Sequence, residues 1–87
     1  KLATDRRDPT LAISFHEAIL NRDPLDEEVV REVMRCYASM GNINAVKLTY
    51  KRLIASLRRE LQDDKAVPMR ETTTVFMELT KQGAFAR

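Results

Sequence analysis

The apolar residues of the chain recur at intervals of three or four positions in four separate segments. This spacing places them along one side of an α-helix, which turns once in about 3.6 residues. The pattern predicts an all-α fold of four helices, at about residues 9–22, 26–40, 42–61 and 69–82. The apolar positions of the four helices are, in order, Leu11, Phe15 and Ile19; Val30, Val33, Met34 and Tyr37; Val46, Tyr50, Leu53, Leu57 and Leu61; and Val75, Phe76 and Leu79. The five positions of the third helix are expected to form its buried stripe.

Residues that start and stop helices stand at the ends of these segments. Pro24 breaks the first helix, and Asp26 caps the second. Gly41 suits the left-handed conformation that follows a helix end, and Asn42 caps the third helix directly after it. Gly83 is predicted to end the fourth helix. Because the turn at Gly41 is so short, the second and third helices are expected to form an antiparallel hairpin.

A cluster of acidic residues stands where the second helix begins. Asp26 is the expected cap, and Glu27 and Glu28 fall in the first turn, where the positive end of the helix dipole favours negative charge. Leu25 is in position to pack on Val30 as a hydrophobic staple. These placements predict a joint between two helices rather than a catalytic acidic site.

The first and third helices occupy equivalent positions when the chain is shifted by 34 residues. The shift pairs His16 with Tyr50 and Ile19 with Leu53. A 34-residue period built from two helices is typical of the tetratricopeptide (TPR) array, in which helix pairs stack to bury their apolar faces. Pro24 stands where the closing proline of a TPR belongs. The period predicts a TPR-like array of antiparallel helices, with one full hairpin and a single helix on either side.

Several short motifs stand along residues 11–80: the joint at residues 23–27, the Gly41 turn with Ala45 and Tyr50, Glu60-Leu61 at the end of the long helix, and Pro68 with Glu71-Thr72 at the start of the last helix. With these motifs, the stretch resembles the bacterial transcriptional activator domain (BTAD) of SARP-type bacterial regulators. The chain departs from the family pattern at Gln62, where a glycine is usual.

The resemblance implies a protein-interaction or oligomerisation domain of a cytoplasmic transcription regulator. It would occupy residues 9–82 of a larger protein, between a polar leader at 1–8 and a tail at 83–87. Such regulators usually carry a winged-helix DNA-binding domain before this module, and nothing in these residues resembles one. We therefore expect contact with DNA only through a domain outside the chain. The expected partners are proteins of the transcription machinery or the rest of the same protein.

The chemical residue types argue against an enzyme or a metalloprotein. His16 is the only histidine and has no carboxylate or thiol one turn away, so a packing role is expected rather than metal binding. Cys36 stands beside Arg35, which allows either a thiol with a lowered pKa or a small packing residue. The sequence has no phosphate-binding glycine loop and no apolar run of membrane-spanning length. We expect no catalytic residues, no cofactor, no metal and no membrane contact.

Two charged surfaces are candidate sites. A partner-binding groove is predicted on the second helix, where two arginines one turn apart suit partner carboxylates; the alternative is an ordinary solvated face. The second candidate is a nucleic-acid contact. The net charge of +2 is too small to indicate such binding by itself, and this interpretation therefore depends on a basic strip of the third helix. The groove residues are Glu28, Arg31, Arg35 and Ala38, and the strip residues are Lys47, Lys51, Arg52, Arg58 and Arg59.

The first helix has no hairpin partner before it in the chain. Its apolar face, formed by Leu11, Phe15 and Ile19, is wider than one neighbouring helix covers. Exposed apolar patches favour association, so a weak homodimer is predicted; a monomer covered by the leader is the alternative.

A TPR-like adaptor in a signalling protein unrelated to transcription is the other function that the pattern leaves open.

Overall fold

Four helices follow one another in the computed structural model, which describes the backbone of residues 9–85 and the side chains of residues 10–81. They are α1 (Pro9–Arg22), α2 (Glu27–Ser39), α3 (Ile43–Leu61) and α4 (Arg70–Phe85), and no strand occurs within residues 9–85. The all-α class and the TPR-like helical array are therefore confirmed. The predicted leader, residues 1–8, lies outside the described residues.

Helix α2 is the centre of the array. It packs against α1, α3 and α4, whereas α3 and α4 also pack against each other. The hairpin of α2 and α3 closes through Gly41, which has the predicted positive φ of 77°. The predicted caps are also present: Asp26 Oδ1 accepts from the Val29 N–H at 3.3 Å, and Asn42 Oδ1 accepts from the Ala45 N–H at 3.1 Å. Local sequence signals thus determine where the central helices begin and turn.

The core lies between α2 and α3. Its buried members are Val30, Met34, Val46, Leu53 and Leu57. Partly buried side chains surround this cluster from all four helices and from the joint before α2, and they include Leu25, Tyr37, Tyr50, Val75, Phe76 and Leu79. The predicted inward faces of α2, α3 and α4 are therefore largely correct, and the position of Leu25 agrees with the predicted staple.

Two predicted details are wrong. Leu61 is 57% exposed instead of buried, because a residue eight positions after Leu53 is rotated by about 80° around the helix. Gly83 does not end α4, which continues to Phe85, since one glycine inside a helix costs only about 1 kcal/mol. Gln62, at the position where a glycine was expected, takes the left-handed conformation itself, with φ 52° and ψ 45°.

Candidate functional site

A buried threonine joins α4 to α2. Thr72 is 0% exposed, and its hydroxyl donates to Glu27 Oε1 at 2.6 Å. The same Glu27 oxygen accepts from the Met69 N–H at 2.9 Å, so a carboxylate from α2 satisfies a backbone donor at the start of α4. Arg31 Nη1 in turn donates to Thr72 Oγ1 at 2.9 Å. These contacts fix the first turn of α4 against the first two turns of α2.

Arg31, which contacts Thr72, also lines a groove between α2 and α4. The groove is open to solvent, has a volume of about 340 Å³ and is lined by Arg31, Arg35, Arg70, Glu71, Thr74 and Val75. Val75 is partly buried and packs against the core, while Arg35, Arg70 and Thr74 are exposed. The groove is therefore an apolar hollow with a charged rim, and its lining contains three arginines and one glutamate.

The structure brings together only part of the predicted groove set. Arg31 and Arg35 lie on one wall as predicted, but Glu28 and Ala38 are not among the lining residues. Glu28 is exposed, and Ala38 packs against the core cluster. Sequence reasoning missed the whole opposite wall, which α4 provides. The available signal was Thr72, which stands three and seven positions before the inward-facing Val75 and Leu79.

The arginines of the α2 wall have different partners. Arg31 is partly buried and holds Thr72, so one of its donors serves the fold. Arg35 Nη1 donates to Glu32 Oε2 at 2.8 Å, and both side chains are about half exposed, at 49%. Exposed pairs of this kind contribute little free energy, about 0–1 kcal/mol, so Arg35 remains available to a competing carboxylate.

One comparison with known proteins decides the family. The family model described as the bacterial transcriptional activator domain matches residues 2–79. The chain belongs to this family. A search of curated proteins and a search of solved structures each found no match. The family is one of transcription-regulator modules, and the contact of Glu27 with Thr72 gives a physical role to two positions that carried the resemblance.

The five residues of the basic strip have different surroundings in this activator domain. All five are exposed. Arg58 Nε donates to the Ala66 carbonyl at 3.1 Å, and Arg59 Nε lies 3.6 Å from Glu60 Oε2. Arg52 lines a small cavity of about 60 Å³ between α1 and α3. Only Lys47 and Lys51, one turn apart on α3, remain without such a role in the described part of the domain.

The apolar face of α1 is partly covered. Phe15 is 59% exposed and Leu11 is 52% exposed, while Ile19 is partly buried. The buried residues of α1 are Ala12, at 2% exposed, and Ile13, and the helix packs on α2. The structure thus places two of the three predicted self-association residues on the surface of the activator domain.

Neither of the two residues considered for metal or thiol chemistry stands in a reactive setting. His16 is partly buried beside Phe15, with ring centroids 5.7 Å apart, and its Nδ1 atom is buried without a hydrogen-bond partner. Among the residues that the structure describes, no three His, Cys, Asp or Glu side chains could hold a metal ion. Burial raises the pKa of the Cys36 thiol, and the Glu32 carboxylate raises this pKa further. The lowered thiol pKa considered from the sequence is therefore wrong. Within the same described residues, no helix could cross a membrane.

Cys36 should react slowly with alkylating reagents because its thiolate form is disfavoured. At about pH 8, we expect iodoacetamide to modify Cys36 more slowly than the same residue in the urea-unfolded chain. Glu32→Gln removes one of the two causes and should raise the rate, whereas Glu28→Gln, one turn earlier, should leave it unchanged. Mass spectrometry of timed samples measures these rates. A folded chain that reacts faster than the unfolded one would contradict the raised pKa.

Proposed function

We propose that this domain is a protein-interaction or oligomerisation module that regulates a bacterial transcription factor in the cytoplasm. The proposed module consists of α1 to α4, and the DNA-binding domain of the regulator lies outside it. Its partner is a component of the transcription machinery or another part of the same protein. Membership of the transcriptional activator domain family supports the regulatory role.

The groove between α2 and α4 is the observation that supports partner binding most directly. Helical arrays use the concave surfaces between stacked helices to bind partners. Here Val75 contributes an apolar surface next to the core, and the five other lining side chains are polar or charged and can hold a partner by hydrogen bonds and ion pairs. The buried contacts of Thr72 hold both walls in place, so the groove exists before a partner arrives. A preformed site loses less entropy on binding.

Filling the groove should uncouple activation from DNA binding. Thr74 is exposed and lines the groove, so Thr74→Trp places a large ring in the space that a partner would use. In the complete regulator we expect this variant to lose most activation of a reporter gene while it keeps its affinity for the target promoter. Reporter activity and a DNA titration of the same purified variant give the two measurements.

A matched substitution controls for the bulky ring itself. Met77 is on the same helix and is 60% exposed, but it does not line the groove. Met77→Trp should therefore retain activation. If Thr74→Trp activates as well as the natural protein, the groove is not the interaction site. Circular dichroism of both variants shows whether the helical content of the domain is preserved.

Direct contact with nucleic acid through the basic strip is the alternative function. It requires that the 87-residue chain bind duplex DNA with an affinity that falls steeply as salt rises. Two strip residues already have structural or ionic partners, since Arg58 holds the Ala66 carbonyl and Arg59 lies near Glu60. The structure therefore favours the protein-binding proposal. The family match favours transcription over the signalling-adaptor alternative, and the weak homodimer through Leu11, Phe15 and Ile19 stays a prediction.

A further inference from the structure

We propose that the groove between α2 and α4 binds an acidic peptide segment, with an apolar side chain in the hollow and flanking carboxylates on Arg35 and Arg70. This inference rests on the function proposed above and specifies the chemistry of the partner. It follows from three properties of the groove: its volume, the charges on its rim and the partners that its arginines already have.

The volume of the groove is large enough for one apolar side chain of a peptide. Its 340 Å³ lies near the lower end of ligand pockets, which span about 300–1,000 Å³. Val75 contributes an apolar surface that continues into the core, and Thr74 lies one residue before it on α4. An aliphatic or aromatic side chain that enters this space is removed from water, which gives the apolar part of the binding free energy.

The charge on the rim selects carboxylates. Of the six lining residues, three are arginines and one is glutamate. The guanidinium group presents a planar set of N–H donors that matches a carboxylate, often with two hydrogen bonds. Arg35 lies on the α2 wall and Arg70 at the start of the α4 wall, so a peptide along the groove meets one on each side. Arg31 positions the wall through Thr72 rather than acting as the main contact.

Glu32 competes for this site in the free protein. Its Oε2 atom lies 2.8 Å from Arg35 Nη1, so a carboxylate of the peptide must displace or share that contact. Removing the Glu32 charge should therefore strengthen binding. A gain of affinity is a sharp test, because a variant that merely misfolds loses affinity.

Fluorescence anisotropy with a designed pair of peptides tests the proposal. The probe is a fluorescein-labelled peptide with two leucines flanked on both sides by glutamates, and its control has glutamine at every glutamate. Titrated with the 87-residue chain at low salt, the glutamate peptide should bind about tenfold more tightly than the glutamine peptide. Higher salt should reduce this difference, since the arginines and their ligands are exposed.

Three variants locate the bound peptide. Arg70→Gln should weaken binding of the glutamate peptide by about fivefold, and Glu32→Gln should strengthen it by about two- to threefold. Arg22→Gln removes the same charge from an exposed position on α1 and should change nothing. Equal binding of the two peptides, no binding of either, or equal effects of Arg70→Gln and Arg22→Gln would each overturn the proposal.

The result can be separated from that of the proposed function. If Thr74→Trp abolishes activation but the glutamate and glutamine peptides bind equally, the groove is an interaction site and its preference for acidic partners is wrong. If Thr74→Trp leaves activation unchanged, the proposed function itself fails, whatever the peptides do.

Discussion

Replacing Leu53 by alanine is expected to lower the free energy of unfolding by about 2–5 kcal/mol. Leu53 is 2% exposed and belongs to the central core cluster between α2 and α3. The substitution removes apolar atoms from a site that the helix backbones prevent from closing completely, so lost burial and a residual cavity both contribute. Since small domains have only a few kcal/mol of stability, the variant should unfold at a much lower urea concentration than the natural protein. Urea denaturation followed by circular dichroism measures the change.

Leu61→Ala is the matched control for this prediction. It makes the same chemical change two turns later on α3, at a side chain that is 57% exposed. Its effect should stay within about 0.5 kcal/mol, as for other surface substitutions. Equal losses in the two variants would contradict the position of the core.

Replacing Thr72 by valine is expected to cost about 1.5–3 kcal/mol, the second largest effect. Valine has nearly the same shape, so packing is preserved, and only the hydroxyl is lost. That hydroxyl donates to the Glu27 carboxylate and accepts from the Arg31 guanidinium, so its removal deprives two charged groups of a partner. Hydrogen bonds to charged groups are the stronger class. Thermal and urea unfolding of the natural protein and of the Thr72→Val variant give the difference in the free energy of unfolding.

Thr80→Val makes the same substitution on the same helix. The Thr80 hydroxyl donates to the Phe76 carbonyl at 2.9 Å. This hydrogen bond lies within one turn of α4 and does not join α4 to another helix. We expect a cost below about 0.5 kcal/mol for this control. The double variant that combines Thr72→Val with Glu27→Gln should show coupling between Glu27 and Thr72. Additive effects of the two substitutions would indicate that the contact does not stabilise the domain.

Helices, turns and the central hairpin were predictable because their signals are local. Asp26, Gly41 and Asn42 each act within a few residues of their own position, and the structure shows all three in the predicted roles. The inward faces also followed from spacing, which explains why Val30 and Leu53 were correctly placed in the core. The error at Leu61 has the same origin, since a fixed four-residue step drifts around a helix of 3.6 residues per turn.

The groove was only half predictable because it depends on which helices become neighbours. The spacing of Arg31 and Arg35 identified one wall. The sequence contains no local sign that Glu27 reaches across to Thr72, because the two residues are 45 positions apart and meet only when α4 packs on α2. The position of Arg70 in the groove depends on the same packing. Acidic residues that start a helix can therefore also join it to another element.

The arrangement of α1 has a consequence for how the molecule fluctuates. Among the described residues, the close backbone contacts of α1 are with α2 alone, and its Leu20 side chain packs against the core cluster that includes Leu53 of α3. Local unfolding of α1 therefore breaks close backbone packing with one helix, whereas unfolding of α2 breaks it with three. Protein segments with few contacts open at lower free energy than the whole molecule. We therefore expect α1 to open at lower free energy than α2 to α4, which leaves the groove between α2 and α4 in place.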